Sequence, residues 1–317
     1  MRTMLCVVAT MMLALPVPRG ASANETNPEK AVLVTGASSG IGLKITETLA
    51  ANGFHVYAGA RKDADLARLD AIDNVSAVRL DVTVPADIDA AVKLVRARGR
   101  GLWGIVNNAG VVRYASLVDG PESDFRLTFE VNVFGPFRIN QAFLPLVMEN
   151  GGRTVIIGSI NGFIPAGGSA GYAASKFAVE GYTDSLAEEL EGSGVHAAIV
   201  EPGSYRSKIR DTMYSAAIAA AEKGDLELGE EARADLARAT VRNESLDEPD
   251  DVALAVLHAM TSDAPKRRYM VTPNAEQADI TIRMALGRVV QLNEDQPYEY
   301  DRDELVALLD ELLDPTD

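Results

Sequence analysis

Between Ala31 and Asn52 the chain passes from a short apolar run, Ala31-Val-Leu-Val-Thr35, through Gly36-Ala-Ser-Ser-Gly40-Ile-Gly42, into a helix-patterned segment, Leu43 to Asn52, ended by Gly53. This order of strand, glycine turn and helix constrains the fold more than any other stretch. An apolar run of that length bounded by turn residues is patterned as a buried strand. Glycines at the turn let the backbone approach a ligand closely. The helix N-terminus then offers free N–H groups and a positive dipole end, which suit a pyrophosphate. Gly36, Ser38, Ser39, Gly40, Ile41 and Gly42 are therefore candidate contacts for a dinucleotide. The spacing G-x-x-x-G-x-G differs from the commoner G-x-G-x-x-G, and a glycine cluster alone also fits an ordinary turn. Its position between strand and helix favours the dinucleotide.

A second pattern supplies chemistry. In Tyr172-Ala-Ala-Ser-Lys176 the tyrosine and the lysine are four apart, which on a helix places phenol and ammonium on one face. A free tyrosine has a pKa of about 10 and is a poor base at neutral pH. A neighbouring cation favours the phenolate, and a general acid or base works best with a pKa near the working pH. Ser159 follows the apolar run Thr154-Val-Ile-Ile-Gly158, which is patterned as a buried strand. Its hydroxyl is placed to hold a substrate oxygen beside the tyrosine. Alone, the pair would also fit a surface Tyr-Lys couple. The glycine turn upstream reverses that preference.

These residues together resemble the short-chain dehydrogenase/reductase family. The matching positions are Thr35-Gly36-Ala-Ser-Ser-Gly40-Ile-Gly42, Asn107-Asn108-Ala109-Gly110, Asn132, Ser159, Tyr172, Lys176 and Pro202-Gly203, in the family's order and near its spacings. The resemblance is strong from about Glu29 to Gly203. It implies a Rossmann-type, doubly wound α/β domain with a parallel seven-stranded sheet in the order 3-2-1-4-5-6-7. It implies that Tyr172 moves a proton to or from the substrate oxygen, that Lys176 lowers the tyrosine pKa and binds the nicotinamide ribose, and that Ser159 orients the substrate. By the same resemblance Asn132 holds a water in a proton relay, Asn108, Ala109 and Gly110 line the cofactor cleft, and Asp81 with Val82 meets the adenine. Ser207 stands where many relatives carry a threonine for the cofactor's carboxamide. The two long helices would form a homodimer or homotetramer interface.

The sequence after the second strand bears on cofactor choice. An NAD site carries an acid near that strand's end, roughly 20 residues past the glycines, for the ribose 2′-hydroxyl. Here Val56-Tyr57-Ala58-Gly59-Ala60 ends with Ala60 in that place and Arg61 after it. A guanidinium suits a 2′-phosphate. The expectation is NADP(H) preferred, with NAD(H) possible, although Ser39 occupies the glycine-loop position that is basic in some NADP enzymes of the family.

Composition excludes other functions. The chain has 317 residues, 47% hydrophobic, enough for one sizeable domain. A net charge of −16 argues against nucleic acid or anionic membrane as a general partner. His55, His196 and His258 lie far apart, and Cys6 is the only cysteine, so the sequence carries no metal-ligand cluster. At the N-terminus, Arg2, the apolar stretch Met4 to Val17 and Ala21-Ser22-Ala23 have the layout of a secretory signal peptide cut after Ala23. The expected divisions are 1–23 signal and 24–317 oxidoreductase domain, giving an exported protein with no membrane span after cleavage. Cytoplasmic placement or an N-terminal anchor are the alternatives.

Strands are predicted to begin near Ala31, His55, Ser76, Gly104, Thr154, His196 and Arg268, with helices over Phe125 to Met148 and Tyr172 to Leu190. The segment 204–247 follows Pro202-Gly203 and is predicted to be a substrate lid, with Met213, Tyr214 and Ile218 as an apolar wall; a solvated hairpin is the competing expectation. The predicted activity interconverts an alcohol with a ketone or aldehyde on an apolar small molecule. Alternatives are a 3-oxoacyl or sugar-type reductase, and a non-catalytic dinucleotide-binding regulator.

Overall fold

The computed structural model describes residues 30–113, 117–118, 120–165, 169–224 and 230–313. Seven strands form one sheet: β1 Ala31–Val34, β2 His55–Ala60, β3 Val75–Arg79, β4 Gly104–Asn107, β5 Arg153–Ile157, β6 His196–Pro202 and β7 Arg268–Val271. All neighbours are parallel, in the order β3-β2-β1-β4-β5-β6-β7. The helices are α1 Gly40–Ala51, α2 Asp63–Leu69, α3 Pro85–Arg98, α4 Glu122–Asn132, α5 Phe134–Met148, α6 Ala170–Glu189, α7 Lys208–Lys223, α8 Glu230–Glu244, α9 Asp250–Thr261, α10 Ala275–Asn293 and α11 Arg302–Leu313.

Alternation along each strand feeds two cores. In β1, Val32 and Val34 face one side, where Ile45 and Leu49 of α1 and Val252 and Val256 of α9 cover the sheet. Ala31 and Leu33 face the other, beneath Ile88 and Val95 of α3, Ile139 and Phe143 of α5 and Leu186 of α6. Burial on both faces explains why the inner strands are nearly continuous apolar runs.

Three features depart from the predicted elements. The single helix expected over Phe125 to Met148 is two, α4 and α5, meeting at Val133 with φ −113° and ψ −58°. Pro136 is part of the cause: it has no N–H for the Asn132 carbonyl four residues back. The first helix begins at Gly40, inside the glycine turn. The third departure is α10, which lies in a stretch left without an expected element.

Among the described residues no helix is long and apolar enough to cross a membrane. The predicted signal segment, Cys6 included, lies outside the described residues.

Candidate active site

One cleft of about 1050 Å³ runs over the carboxyl ends of β1, β2, β4, β5 and β6. Its first wall is the glycine turn. Gly36 has φ +64°, and a Cβ there would sit 2.9 Å from Ala109 Cα. At Gly42 a Cβ would lie 2.3 Å from both the Gly36 carbonyl oxygen and Asn108 Nδ2. Gly40, at φ +54°, faces Ser207 Oγ across the cleft, 3.3 Å from where its Cβ would be. Each glycine is therefore required by close approach of backbone to backbone or to the opposite wall. The turn leads straight into the N-terminus of α1, so unpaired N–H groups open into the cleft. Gly36, Ser38, Ser39, Ile41 and Gly42 all line it. This cradle fits the pyrophosphate of a dinucleotide.

The loop after β4 locks the cradle. Asn108 Nδ2 donates to the carbonyls of Thr35 at 2.9 Å and Gly36 at 3.0 Å. Thr35 Oγ1 accepts from the N–H groups of Asn108 and Ala109, each at 3.0 Å. Asn108, Ala109 and Gly110 line the cleft as expected. Asn107 does not: it is buried and donates to Asn140 Oδ1 at 3.1 Å.

Ser159, Tyr172 and Lys176 converge at the cleft's centre. Ser159 leaves β5 and caps a single 3-10 turn, accepting from Asn161 N at 3.1 Å. Tyr172 and Lys176 stand one turn apart on α6, and Ser159 lies near enough to the Tyr172 hydroxyl to favour its ionised form. The Lys176 ammonium lies 5.5 Å from the Tyr172 ring centre and donates to the Ile157 carbonyl at 2.7 Å. Burial pushes the lysine down to about 8, against the raising effect of Glu180. The phenol is pushed up by burial, more than Ser159 and the charge of Arg210 pull it down.

Asn132 is close by, but its side chain faces away from the cleft. Its Oδ1 accepts from Val111 N at 2.8 Å, and its Nδ2 donates to the Val111 carbonyl at 3.0 Å and Ser175 Oγ at 2.9 Å. It ties α4 to α6 and to the loop leaving β4, so any relay would run through its main-chain carbonyl, which Pro136 leaves without a helical donor.

Asp81 and Val82 line the cleft just beyond β3, the end where the family resemblance expects an adenine. Burial alone would raise Asp81; two bonds from Thr83 and the Arg61 guanidinium outweigh it and hold the carboxyl below its usual range. Arg61 sits at the rim, Nη1 3.5 Å from Asp81 Oδ2, with most of its side chain in solvent. Arg68 of α2 donates to the Ser38 carbonyl beside it.

The segment expected as a lid is a helical hairpin. Asn243 near the end of α8 donates to the Ser207 carbonyl at 3.2 Å and to Asp211 Oδ1 at 2.6 Å, so α8 returns antiparallel to α7. Among the described residues the first half of α7 lines the cleft, with Met213 and Tyr214, and Ile218 does not. Pro202 and Gly203 line the cleft at the end of β6, and Ser207 faces the glycine turn. Sequence inspection missed Arg210, Arg113, Ile160 and Ile164 on the cleft wall. It also missed Gln277, whose Oε1 accepts from Ser204 N at 2.7 Å. Its signal was present: Asn274 caps α10 by accepting from Gln277 N, an Asn-x-x-Gln start motif.

Behind Lys176 lies a charge cluster that is buried at Glu180 and Glu201 and reaches the surface at Arg268 and Asp184. Arg268 of β7 reaches Asp184 Oδ2 at 2.8 Å, Glu180 Oε2 at 3.2 Å and Glu201 Oε1 at 3.3 Å. Glu180 Oε1 and Glu201 Oε1 are both buried without a hydrogen-bond partner. Burial and Glu180 push Glu201 up to about 8.

A parallel sheet with a glycine cradle at one end of its cleft and a Ser-Tyr-Lys group at the centre defines a dinucleotide-binding oxidoreductase. The family described as short chain dehydrogenase matches residues 30–217. The chain belongs to that family, the NAD(P)-dependent oxidoreductases of the Tyr-x-x-x-Lys type. It is 34% identical over 264 residues to the uncharacterized oxidoreductase YbbO of Escherichia coli (strain K12), covering 83% of this chain and 93% of the relative. It is 33% identical over 280 residues to the mitochondrial D-beta-hydroxybutyrate dehydrogenase of Bos taurus, covering 80% and 81%. A short-chain dehydrogenase structure from Streptomyces avermitilis superposes with TM-score 0.69 at 29% identity, covering 84% of this chain and 95% of that one.

Proposed function

We propose that the protein interconverts an alcohol and a ketone or aldehyde on a substrate with an apolar body, with NADP(H) as the preferred cofactor. The observation that carries this is the convergence of Ser159, Tyr172 and Lys176 at the centre of a cleft whose far end is the glycine cradle. The substrate end is walled by Val112, Ile160, Ile164, Met213 and Tyr214, which favours an apolar body over a sugar. When bound, the nicotinamide supplies or accepts the hydride. The protein's part is proton transfer and orientation. Ser159 holds the substrate oxygen against Tyr172. Tyr172, kept protonated by burial, gives its proton to that oxygen in reduction and takes it back in oxidation. Lys176, one turn on, places a positive charge beneath the phenol and is positioned for the nicotinamide ribose. The Asn132 carbonyl is available to a water that returns the proton.

The test is Tyr172→Phe, which keeps the ring and removes the transferable proton. Turnover of a carbonyl substrate, followed by nicotinamide absorbance, should fall about 10²–10⁴-fold. Near-normal turnover would remove Tyr172 from the mechanism.

Two further assignments extend this function. The exposed Phe125, Phe134, Phe137 and Phe177 on α4, α5 and α6 offer the apolar surface for a homodimer or homotetramer. Residues 1–23 serve as an export signal, and in a bacterial host the exported product should begin at Asn24 by N-terminal sequencing. A product that keeps Met1 and stays in the cytoplasm would overturn the export assignment.

A further inference from the structure

Arg210 is the half-buried cation in the substrate half of the cleft that no carboxylate among the described residues balances. It lies in the first turn of α7, half-buried, and lines the cleft with Ser204, Met213 and Tyr214. Its Nη2 donates to Ser204 Oγ at 3.1 Å, a neutral partner. Among the described residues no carboxylate forms an ion pair with it. The neighbouring cations differ. Arg113 has Asp124 at 3.7 Å and the Val112 carbonyl at 3.2 Å. Lys176 is committed to the Ile157 carbonyl. Lys208 is exposed. Among the described residues the one acid lining the cleft, Asp81, stands beyond β3 and is already engaged by Thr83 and Arg61.

Three further observations point the same way. A cation in the first turn of a helix opposes the positive end of the helix dipole, so local stability does not account for Arg210 there. Asp211, which could have offset it, accepts from Asn243 of α8 instead. The charge of Arg210 reaches the Tyr172 phenol, which puts the guanidinium on the side of the reacting oxygen and not on the adenine side. A half-buried guanidinium in a cleft with apolar walls is a binding group for an anion, and its planar fork matches a carboxylate with two parallel N–H bonds. Ser204 accepts from Arg210, which leaves its own O–H free to donate to the same anion.

We propose that Arg210, assisted by Ser204, binds a carboxylate on the substrate, so that the preferred substrates are oxo and hydroxy carboxylic acids with an apolar chain. This rests on the oxidoreductase function proposed above and narrows it. The carboxylate docks at the start of α7, the carbonyl or hydroxyl lies at Tyr172 and Ser159, and the chain runs along Ile160, Ile164 and Met213. Arg210 is a specificity residue here and takes no part in proton transfer.

The experiment uses the full chain with NADPH and straight-chain 2-oxo, 3-oxo and 4-oxo acids, each paired with its methyl ester. At least one acid should be reduced with kcat/KM roughly 10- to 100-fold above its ester, the worth of a charge-assisted pair. Arg210→Gln should raise KM for that acid by a similar factor and bring its kcat/KM down to that of the ester, with any effect of the lost charge on Tyr172 shared equally by acid and ester, and should leave the Kd for NADPH unaltered. Arg210→Lys should recover part of the loss. Binding of decanoate, followed by calorimetry without turnover, should weaken in Arg210→Gln while binding of decanol does not. Esters or simple ketones turned over as well as every acid would overturn the carboxylate assignment and leave the oxidoreductase function standing. So would a variant that loses acid and ester equally, or one whose defect is in NADPH binding. Failure of the enzyme to turn over any acid, ester or simple ketone would overturn both.

Discussion

At the scale of single residues, the site divides into contacts made within one element and contacts made between elements. Tyr172 and Lys176 belong to the first kind: their spacing on one helix fixes their relation wherever the helix lies. The glycines also announce themselves locally, although the reason Gly42 must be glycine, a Cβ colliding with Asn108 and Gly36, involves a residue 66 positions away. Arg61 combines both kinds. Its position after β2 was legible, while its pairing with Asp81, and the support of Arg79 Nη1 donating to the Arg61 carbonyl at 2.7 Å, depend on the register of β2 and β3. A 2′-phosphate would replace Asp81 as the partner of that guanidinium. NADPH should therefore bind roughly 10- to 100-fold tighter than NADH, and Arg61→Asp should abolish or reverse the preference. Fluorescence titration of both cofactors measures it; a wild-type chain that prefers NADH would show that Arg61 faces solvent only.

Elements were legible to the degree that their signal lay in one stretch of chain. The inner strands β1, β2, β4, β5 and β6 are buried on both faces, so they show as apolar runs between turn residues, whereas the edge strands β3 and β7 are only partly buried. The α4–α5 break was not legible because both helices continue one apolar pattern, and only Pro136 marks the discontinuity. The α10 helix was missed because its stripe is weak: of its residues only Thr281 is fully buried, and its start is marked by a side-chain cap and not by periodicity. The lid needed tertiary information of another kind. Its helical character was readable, but nothing in the sequence told which helix faces the cleft. With α7 on the wall and α8 behind it, substitutions in the two should act differently. Met213→Ala and Tyr214→Ala should change KM and substrate range, whereas replacing 225–229 and the adjoining ends of α7 and α8 with a short linker should leave cofactor affinity intact and disturb KM only modestly. Equal effects from both changes would assign the hairpin a purely structural role.

The molecule as a whole carries ionisable groups where solvent cannot reach them, and their joint effect is a property of the folded unit. Neither Glu201 in β6 nor Glu180 in α6 is recognisable from sequence as half of a pair, because they meet only when β6 packs under α6 and Arg268 arrives on β7. Glu201 titrates at about 8 in the fold against 4.5 when free. Between those values the folded chain holds a proton that the unfolded chain has released, so stability falls as pH rises, by at most about 1.4 kcal/mol per pH unit. Lys176 acts in the opposite sense. It titrates at about 8 in the fold against 10.5 when free, so above pH 8 the unfolded chain holds the extra proton and stability rises toward 10.5. The two limbs meet near pH 8, where both buried groups weigh most against the fold. Difference curves separate Lys176 from the Glu180–Glu201 pair, which titrates jointly, since His196, Asp81 and the net charge of −16 contribute almost equally to parent and variant. Urea unfolding from pH 5 to 10 should show Glu201→Gln gaining on the wild type progressively up to pH 8 and then holding a constant lead. Lys176→Met should be ahead of the wild type up to pH 8 and lose that lead above it, even though it removes the bond to the Ile157 carbonyl. Parallel curves for either variant would mean that its group titrates alike in the folded and unfolded chains, and that the buried charge is neutralised in another way.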